Sequence, residues 1–457
     1  MYYQNSYSPV RVISGQLVSQ NRVPSVSEVE EALQSDDILK TGLLFLGGAR
    51  QGKTNVMTKV FFDIMQKRQL EDTVVFFDIK GDYRKLFYRA DWPSDILLSP
   101  RSDACLLNLF EGLTDLVGVH DDLLSLRVSE ITEYLFRGQT GGSDPFWVNS
   151  AKMVVRCIIL YMVYEASMDP TYPLNHATFC SILDGRYFNN DYTALALYDQ
   201  YREILLSYDR FRASATFFEP IDPDHPGQMG NSIIAEILTM RGEIFQGSFE
   251  KGKEWVGQRY ISPNTLTQHN EGRVLFLEVD TEFDRCCKPL FSLFLDMLIA
   301  SYVSQKDTER RGKLYLFLDE FAMLPPCRRL GEALNFGAGP GIRVIGGLQM
   351  VDQVRQMYPE PGAANTLLGG FQNLVVFHCD HESIKMTQDR LGGAFVQSVY
   401  RKAGGGIGYS EPRNVPSAEE HEFADLRVGE AIVRLQTAGD MGRPFRIHFP
   451  LYIKRKI

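Results

Sequence analysis

The segment Gly47-Gly48-Ala49-Arg50-Gln51-Gly52-Lys53-Thr54 constrains this chain more than any other. It satisfies G-x-x-x-x-G-K-[ST], and its flanks supply the context that pattern requires. The stretch from Thr41 to Leu46 is short and mostly apolar, as a buried strand is. From Thr54 to Gln66, Val56, Val60 and Ile64 fall on one helical stripe. A strand, a glycine-rich loop and a helix in that order form a cradle whose backbone N–H groups curl around phosphate oxygens. Lys53 is then placed to reach the β- and γ-phosphates, and the Thr54 hydroxyl to coordinate Mg²⁺. The candidate nucleotide-binding residues are therefore Gly47, Gly48, Ala49, Arg50, Gln51, Gly52, Lys53 and Thr54, with ATP and Mg²⁺ as cofactors.

A second segment completes such a site. Leu314-Tyr315-Leu316-Phe317-Leu318 reads as an apolar strand that ends in Asp319 and Glu320. A strand buried on both faces delivers its C-terminal residues beside the phosphate loop. There Asp319 can hold the Mg²⁺ shell and Glu320 can polarise an attacking water. Gln349 follows the next apolar strand, Arg343 to Gly347, where an amide can hydrogen-bond the γ-phosphate and register its presence. Lys53, Glu320 and Gln349 are the candidate catalytic residues, and Thr54 and Asp319 the candidate Mg²⁺ ligands. His378-Cys379-Asp380-His381 lacks a second ligand cluster at zinc-site spacing and reads as a strand-end loop. Cys286-Cys287 reads as packing at a helix start.

Along the chain, strand and helix alternate at both ends and give way to helical periodicity in the middle. After Thr73 to Phe77 and Ile96 to Leu98, helical patterns dominate in Asp122 to Arg137, Phe146 to Ala166, Asp191 to Phe211 and Gly230 to Phe245. Alternation resumes with Arg273 to Val279, a helix to Gln305, the Leu314 strand, a helix to about Phe336, and Arg343 to Gly347. It continues through Asn373 to His378, a helix from His381 to Leu391, and Ala431 to Leu435. This pattern predicts a mainly parallel sheet covered on both faces, with an all-helical insertion. The expected organisation is an N-terminal part of the nucleotide-binding domain at 1–110, the inserted all-α domain at 111–270, and the rest of the nucleotide-binding domain at 271–457. Gly404 to Gly408 is expected to be a mobile loop.

Composition limits the setting. The 457 residues are 44% hydrophobic and 23% charged, as in an ordinary globular protein. The formal charge of −9 excludes a global positive field, so any nucleic-acid contact needs a local basic groove. Seven cysteines without a Cys-x-x-Cys pair fit a reduced, cytoplasmic compartment. Met1 to Val10 carries no signal-peptide pattern. The longest apolar runs, Val154 to Tyr164 and Leu290 to Val303, fall short of the roughly 20 residues of a membrane span and read as buried helices of a soluble chain.

Further segments carry a family resemblance. Phe77-Asp78-Ile79-Lys80-Gly81-Asp82 resembles the D-P-K-G-E segment of type IV secretion coupling proteins, the TraG/TraD-like conjugation ATPases. Asp144-Pro145-Phe146-Trp147 resembles the D-P-F-W of their helical domain. Leu318-Asp319-Glu320-Phe321-Ala322 and Gly346-Gly347-Leu348-Gln349, with Gln353 and Tyr358, are similar to their later motifs. Five matches in family order run from Gly47 to Tyr358. The resemblance implies a RecA-like P-loop core with an inserted all-α domain. It also implies a ring-forming ATPase that moves single-stranded DNA, with attached relaxase, towards a secretion channel. A homo-oligomer is expected, a hexamer among the candidates. Lys80 and Asp82 carry over as motif positions without a physical role.

Two departures qualify what the resemblance implies. Family members commonly begin with membrane-spanning helices, whereas about forty polar residues precede the core here. Either a separate membrane partner docks this protein at the inner face of the membrane, or it works away from one. The family's G-R-x-x-G segment reads Gly337-Ala338-Gly339-Pro340-Gly341, so the arginine that reaches into a neighbouring subunit is Ala338 here. Such an arginine can be worth about 10³–10⁵ in rate. Arg328, Arg329 and Arg343 are the candidate substitutes. The competing expectation is a nucleotide-gated docking module for relaxase or effector proteins with weak ATPase activity. A viral packaging motor ranks below both, since the residues after Asp319 only finish the sheet and leave no room for a nuclease.

Overall fold

The runs Leu43–Leu46, Thr73–Asp78 and Leu314–Leu318 are buried at every position, which requires cover on both faces of their sheet. The computed structural model describes residues 24–137, 145–188, 193–222, 225–253, 258–268, 272–304, 312–396, 399–401, 407–409, 413–436 and 439–452. Its central sheet has nine strands: β1 (Leu43–Leu46), β2 (Thr73–Asp78), β3 (Asp95–Leu98), β4 (Val274–Glu278), β5 (Leu314–Leu318), β6 (Ile342–Leu348), β7 (Asn373–Val376), β8 (Glu430–Arg434) and β9 (Phe445–His448). The spatial order is β9-β8-β7-β1-β6-β5-β2-β4-β3. Strands from β7 to β3 in that order are parallel.

The predicted strand at 431–435 is present as β8, but it runs antiparallel to β7 and is followed by the unanticipated β9, also antiparallel. The alternation of exposure along β9 is the mark of an edge strand with one wet face.

Alternate residues of each strand supply opposite faces. Leu44, Leu46, Val75, Phe77, Leu316 and Leu318 join one core. Leu43, Phe45, Val74, Phe76, Tyr315 and Phe317 join the other, where Phe61, Tyr83 and Phe276 extend an aromatic cluster. The Lys53–Lys67 helix lays Val56, Val60 and Ile64 on this second face. The N-terminal segment is less polar in effect than its composition suggests. Helices Val26–Leu33 and Asp36–Leu39 bury Val29, Leu33, Ile38 and Leu39 there.

The first core continues without a break into the inserted helices Asp121–Leu135, Pro145–Met168, His176–Leu183, Ala194–Leu206 and Gln228–Ile244. The two legs of the insertion pair in parallel, Cys105–Leu107 with Arg259–Ile261. Near them His176 is fully buried, bonded at Nδ1 to the Phe249 carbonyl at 2.9 Å and at Nε2 to the Leu109 N–H at 3.2 Å. The helix Asp284–Ser304 packs on the inserted helices Asp121–Leu135 and Gln228–Ile244 and shares one core with the sheet strands, with Cys286 and Cys287 buried in its first turn. It and Pro145–Met168 are longer than the apolar runs within them, and both reach the length and hydropathy of a membrane span. In the fold most of each is packed inside.

Two further expectations need correction. The helix expected after the Leu314 strand, to about Phe336, forms only in its last part. Phe321–Met323 is a 3-10 turn, the segment around Pro325-Pro326 is extended, and the helix proper is Leu330–Phe336, because consecutive prolines remove two N–H donors and push the preceding residue out of the helical region. In the expected mobile loop, Ile407–Tyr409 is a strand paired antiparallel with Val399–Arg401. The rest of that loop, Gly404 to Gly406, lies outside the described residues, as do Met1 to Val10 and Asp144.

Candidate nucleotide site

The phosphate loop is held at both ends by backbone hydrogen bonds. Gly47 N–H donates to the Leu348 carbonyl at 3.0 Å and Gly48 N–H to the His378 carbonyl at 2.9 Å, so the loop starts pinned between the ends of β6 and β7. At its far end Gly429 N–H donates to the Gln51 carbonyl at 3.0 Å. Gly52 has φ +108°, and a Cβ there would meet the Gly429 backbone at 3.2 Å, so both conformation and space demand glycine. Arg50, with φ +64°, is the one non-glycine residue at positive φ among the described residues, and its side chain is exposed. Helix Lys53–Lys67 follows directly and aims its free N–H groups and positive dipole end at the loop. Asn55, in its first turn, bonds the Pro450 carbonyl and the Tyr452 N–H at 2.8 Å each, so the C-terminal segment braces the helix from behind.

Sheet order brings the acids in. Only β6 separates β5 from β1, so the ends of those strands lie about 10 Å apart. Lys53 Nζ sits 3.4 Å from Glu320 Oε2, and each residue is 7% exposed. Gln349, from the end of β6, donates its backbone N–H to Glu320 Oε1 at 3.2 Å and its side-chain amide to Oε2 at 2.7 Å. The three candidate catalytic residues thus meet on one carboxylate. Gly347 allows this closeness, since a Cβ there would lie 2.0 Å from the Asp319 carbonyl oxygen.

Asp319 has a different environment. Its Oδ1 is buried without a hydrogen-bond partner of good geometry, as is the hydroxyl of Tyr83, which faces the same carboxyl. Burial pushes the Asp319 pKa up and the Glu320 charge adds to this, while Lys53 and Lys80 oppose it. An orphaned carboxylate oxygen on Asp319 and the half-buried hydroxyl of Thr54 at the start of the helix after the phosphate loop are the kinds of donor a hard divalent cation takes. The residues present fit Mg²⁺.

The sequence model of the type IV secretion-system coupling protein DNA-binding domain matches residues 35–180 and 253–436. The chain belongs to this family. Its fold aligns with solved structures of the bacterial conjugative coupling protein TrwB along nearly its whole length. The unbound form, TrwBdeltaN70, shares 17% identity, with 98% of this chain and 97% of that one covered and a TM-score of 0.67. TrwB with the GTP analogue GDPNP gives 18%, 98%, 97% and 0.65. TrwB with ADP and Mg²⁺ gives 17%, 95%, 94% and 0.63. No curated protein matches the chain in sequence. The likeness establishes the fold as a RecA-like P-loop core with an inserted all-α domain.

Against that fold the family's other motif positions acquire physical roles. Asp78, at the end of β2, accepts the Asp82 N–H at 3.1 Å and the Arg84 N–H at 2.8 Å, and so caps the Asp82–Phe87 helix. Burial raises its pKa, and the Asp82 and Asp319 carboxylates add to this. Lys80 is exposed and within electrostatic reach of Asp319. Tyr83 was not singled out from sequence. An aromatic one residue after a motif acid gives little warning that its hydroxyl will reach a carboxyl from another strand. Asp380 caps its own helix through Ser383, and His381 pairs with Glu420 at 2.9 Å.

The missing arginine is also clearer in space. Ala338 lies before β6, whose seven residues span about 23 Å, so it sits at the sheet edge opposite Gln349. A side chain there is too far away to reach the nucleotide site of its own chain. Of the candidate substitutes, Arg343 is ruled out, being 3% exposed and locked to Asp36 at 2.8 Å. Arg329 is held by Glu130 and Glu332. Arg328 is exposed and has no ion pair among the described residues.

Proposed function

We propose that this chain is an ATP-dependent DNA translocase of the coupling-protein type, which moves single-stranded DNA, with attached relaxase, towards a secretion channel. The observation that supports it best is the buried meeting of Lys53, Glu320 and Gln349 beside the phosphate loop. TrwB has been solved with a non-hydrolysable ATP analogue and with ADP and Mg²⁺, and ATP with Mg²⁺ is the nucleotide proposed here. Lys53 rests on Glu320. Phosphate oxygens entering the cradle carry more negative charge than one carboxylate, and they draw Lys53 away from it. Glu320 is then free to accept a proton from a water, with the Gln349 amide keeping its carboxylate aimed. Mg²⁺, held by Thr54 and Asp319, would neutralise phosphate charge. We place the protein in the cytoplasm, as a homo-oligomer reaching the membrane through a partner.

Ala338 favours a second reading, a docking module whose nucleotide is hydrolysed slowly, because the chain brings no arginine from that position to a neighbouring site. Turnover per molecule, measured against protein concentration with and without single-stranded DNA, separates the two. The translocase predicts turnover that rises with both, falls about 10²–10⁴-fold in Glu320→Gln, and vanishes in Lys53→Ala. A Lys53→Ala protein hydrolysing at the wild-type rate overturns the site. Flat, near-zero turnover with intact ATP binding selects the docking module.

A further inference from the structure

Asp296 is a carboxylate in the middle of an apolar helix. Leu293, Phe294, Leu295, Met297 and Leu298 around it are buried, and Asp296 itself is 5% exposed. A buried carboxylate costs several kcal/mol unless its oxygens are satisfied, and here every donor comes from outside its own helix. Oδ1 accepts the Arg329 N–H at 2.9 Å and the Cys327 thiol at 2.7 Å. Oδ2 accepts the Arg328 N–H at 3.1 Å and the Tyr134 hydroxyl.

These donors belong to two places. Residues 327–329 belong to the connection that runs from Glu320 to the Leu330–Phe336 helix, whereas Tyr134 lies on an inserted helix, Asp121–Leu135. The same segment is gripped elsewhere along its length. Ser292 donates to the Pro325 carbonyl at 2.7 Å, and Arg137 of the insertion to the Pro326 carbonyl. The Tyr358 hydroxyl bonds the Cys327 N–H at 3.0 Å and its carbonyl at 3.3 Å. Tyr358 ends the helix Val351–Met357, which starts two residues after Gln349. The two stretches of chain leading from Glu320 and from Gln349 therefore converge on Cys327, and Asp296 ties that point to the insertion. Beside it is a cavity of about 140 Å³, bordered by Glu130, Tyr134, Asp296, Arg328 and Glu332, which leaves room for a second arrangement.

We infer that Asp296 is a positioning residue that couples nucleotide binding to the inserted helical domain. Displacing Lys53 from Glu320 alters the carboxylate from which the 321–329 segment starts, and the Asp296–Tyr134 contact carries that change into Asp121–Leu135. The inference rests on the nucleotide site proposed above. A junction fixed by hydrogen bonds from both sides, with room for one alternative arrangement, switches between the two and does not absorb a shift gradually.

The test is hydrogen exchange of wild type, Tyr134→Phe and Asp296→Asn, with and without the non-hydrolysable analogue ADPNP plus Mg²⁺. In wild type the analogue should slow exchange in residues 47–54 and, about fivefold or more, in 121–135. In Tyr134→Phe, which deletes one hydroxyl, the melting temperature should fall by a few degrees at most, with the analogue affinity and the protection of 47–54 unchanged, while protection of 121–135 is lost. Asp296→Asn keeps the shape and should lose the same protection. Protection of 47–54 without any change at 121–135 in wild type overturns the coupling alone. So does full transmission in Tyr134→Phe. Failure of wild type to bind the analogue overturns the nucleotide site, and the coupling with it.

Discussion

His176 shows how one side chain can join distant segments and acquire a pH dependence in doing so. Only the neutral ring satisfies both of its partners, with Nδ1–H donating to the Phe249 carbonyl and Nε2 accepting from the Leu109 N–H. Burial pushes its pKa down to about 4. Above pH 6.5 both folded and unfolded chains hold a neutral histidine, and the native contacts count in full. Between pH 6.5 and 4 the unfolded chain takes up a proton that the folded chain does not, so stability falls as pH falls, by about 3 kcal/mol in total. His176→Gln should be less stable than wild type at pH 7, and urea titrations should show that gap narrowing by this amount towards pH 4. A gap independent of pH would mean the imidazole titrates in the fold as it does in the unfolded chain, and a gap that widens towards pH 4 would mean it is charged in the fold. At the same scale Arg50 is a cost that glycine would not incur, about 1 kcal/mol for its left-handed conformation.

At the scale of elements, the short helix Asp36–Leu39 latches the N-terminal segment to the lower ends of β5 and β6. Asp36 pairs with Arg343 at 2.8 and 3.2 Å and with Lys313 at 2.8 Å. Although burial raises its pKa, hydrogen bonds from Arg343 and Lys313 outweigh that and hold the carboxyl well below the usual range. Its stabilisation is present above the ordinary carboxylate pKa near 3.9 and is lost as pH falls further below it. Asp36→Ala strands a buried guanidinium that keeps, among the described residues, the backbone carbonyls of Ala338 and Ile342. The expected loss is about 2–3 kcal/mol by urea titration at pH 7, below the value for a fully enclosed pair because water reaches Asp36. A loss under about 0.5 kcal/mol, the size of a surface substitution, would mean the latch is ornamental. The segment after Glu320 carries the opposite lesson. Its proline pair was visible in the sequence, yet it breaks the expected helix and leaves carbonyls free for Ser292 and Arg137 to hold.

Over the whole molecule, one core runs from the sheet face through Asp284–Ser304 into the inserted helices. Along that path the buried apolar side chains form one cluster, with Ser292 and Asp296 hydrogen-bonded inside it. The two should therefore unfold together. Exchange of core amides in Pro145–Met168 and in β5 should show the same limiting opening free energy. Opening of the insertion several kcal/mol below that of β5 would show it to be an independent unit. Continuity of this kind is also what allows a contact such as Tyr134–Asp296 to matter at a distance.

How much of this was legible depends on the range of the interactions involved. The strand, loop and helix around Gly47 to Thr54 follow from local chemistry, apolar residues bounded by glycines and a 3.6-residue stripe, and sequence alone placed them within two residues. The same holds for Leu314–Leu318 and His381–Leu391. Nothing local marks Gln349, a loop amide; the sheet order brings it to Glu320 by laying β6 between β1 and β5. Sequence alone could not disqualify Arg343, because its partner Asp36 is 307 positions away. Nor could it raise Asp296 above an interruption in an apolar run. Residue type and spacing determined which chemistry the chain can perform, because bonds between near neighbours act in any fold. Which of the charged side chains perform it, and which only hold the fold, was decided by tertiary structure, because the energy of a charge depends on what burial brings within a few ångströms of it.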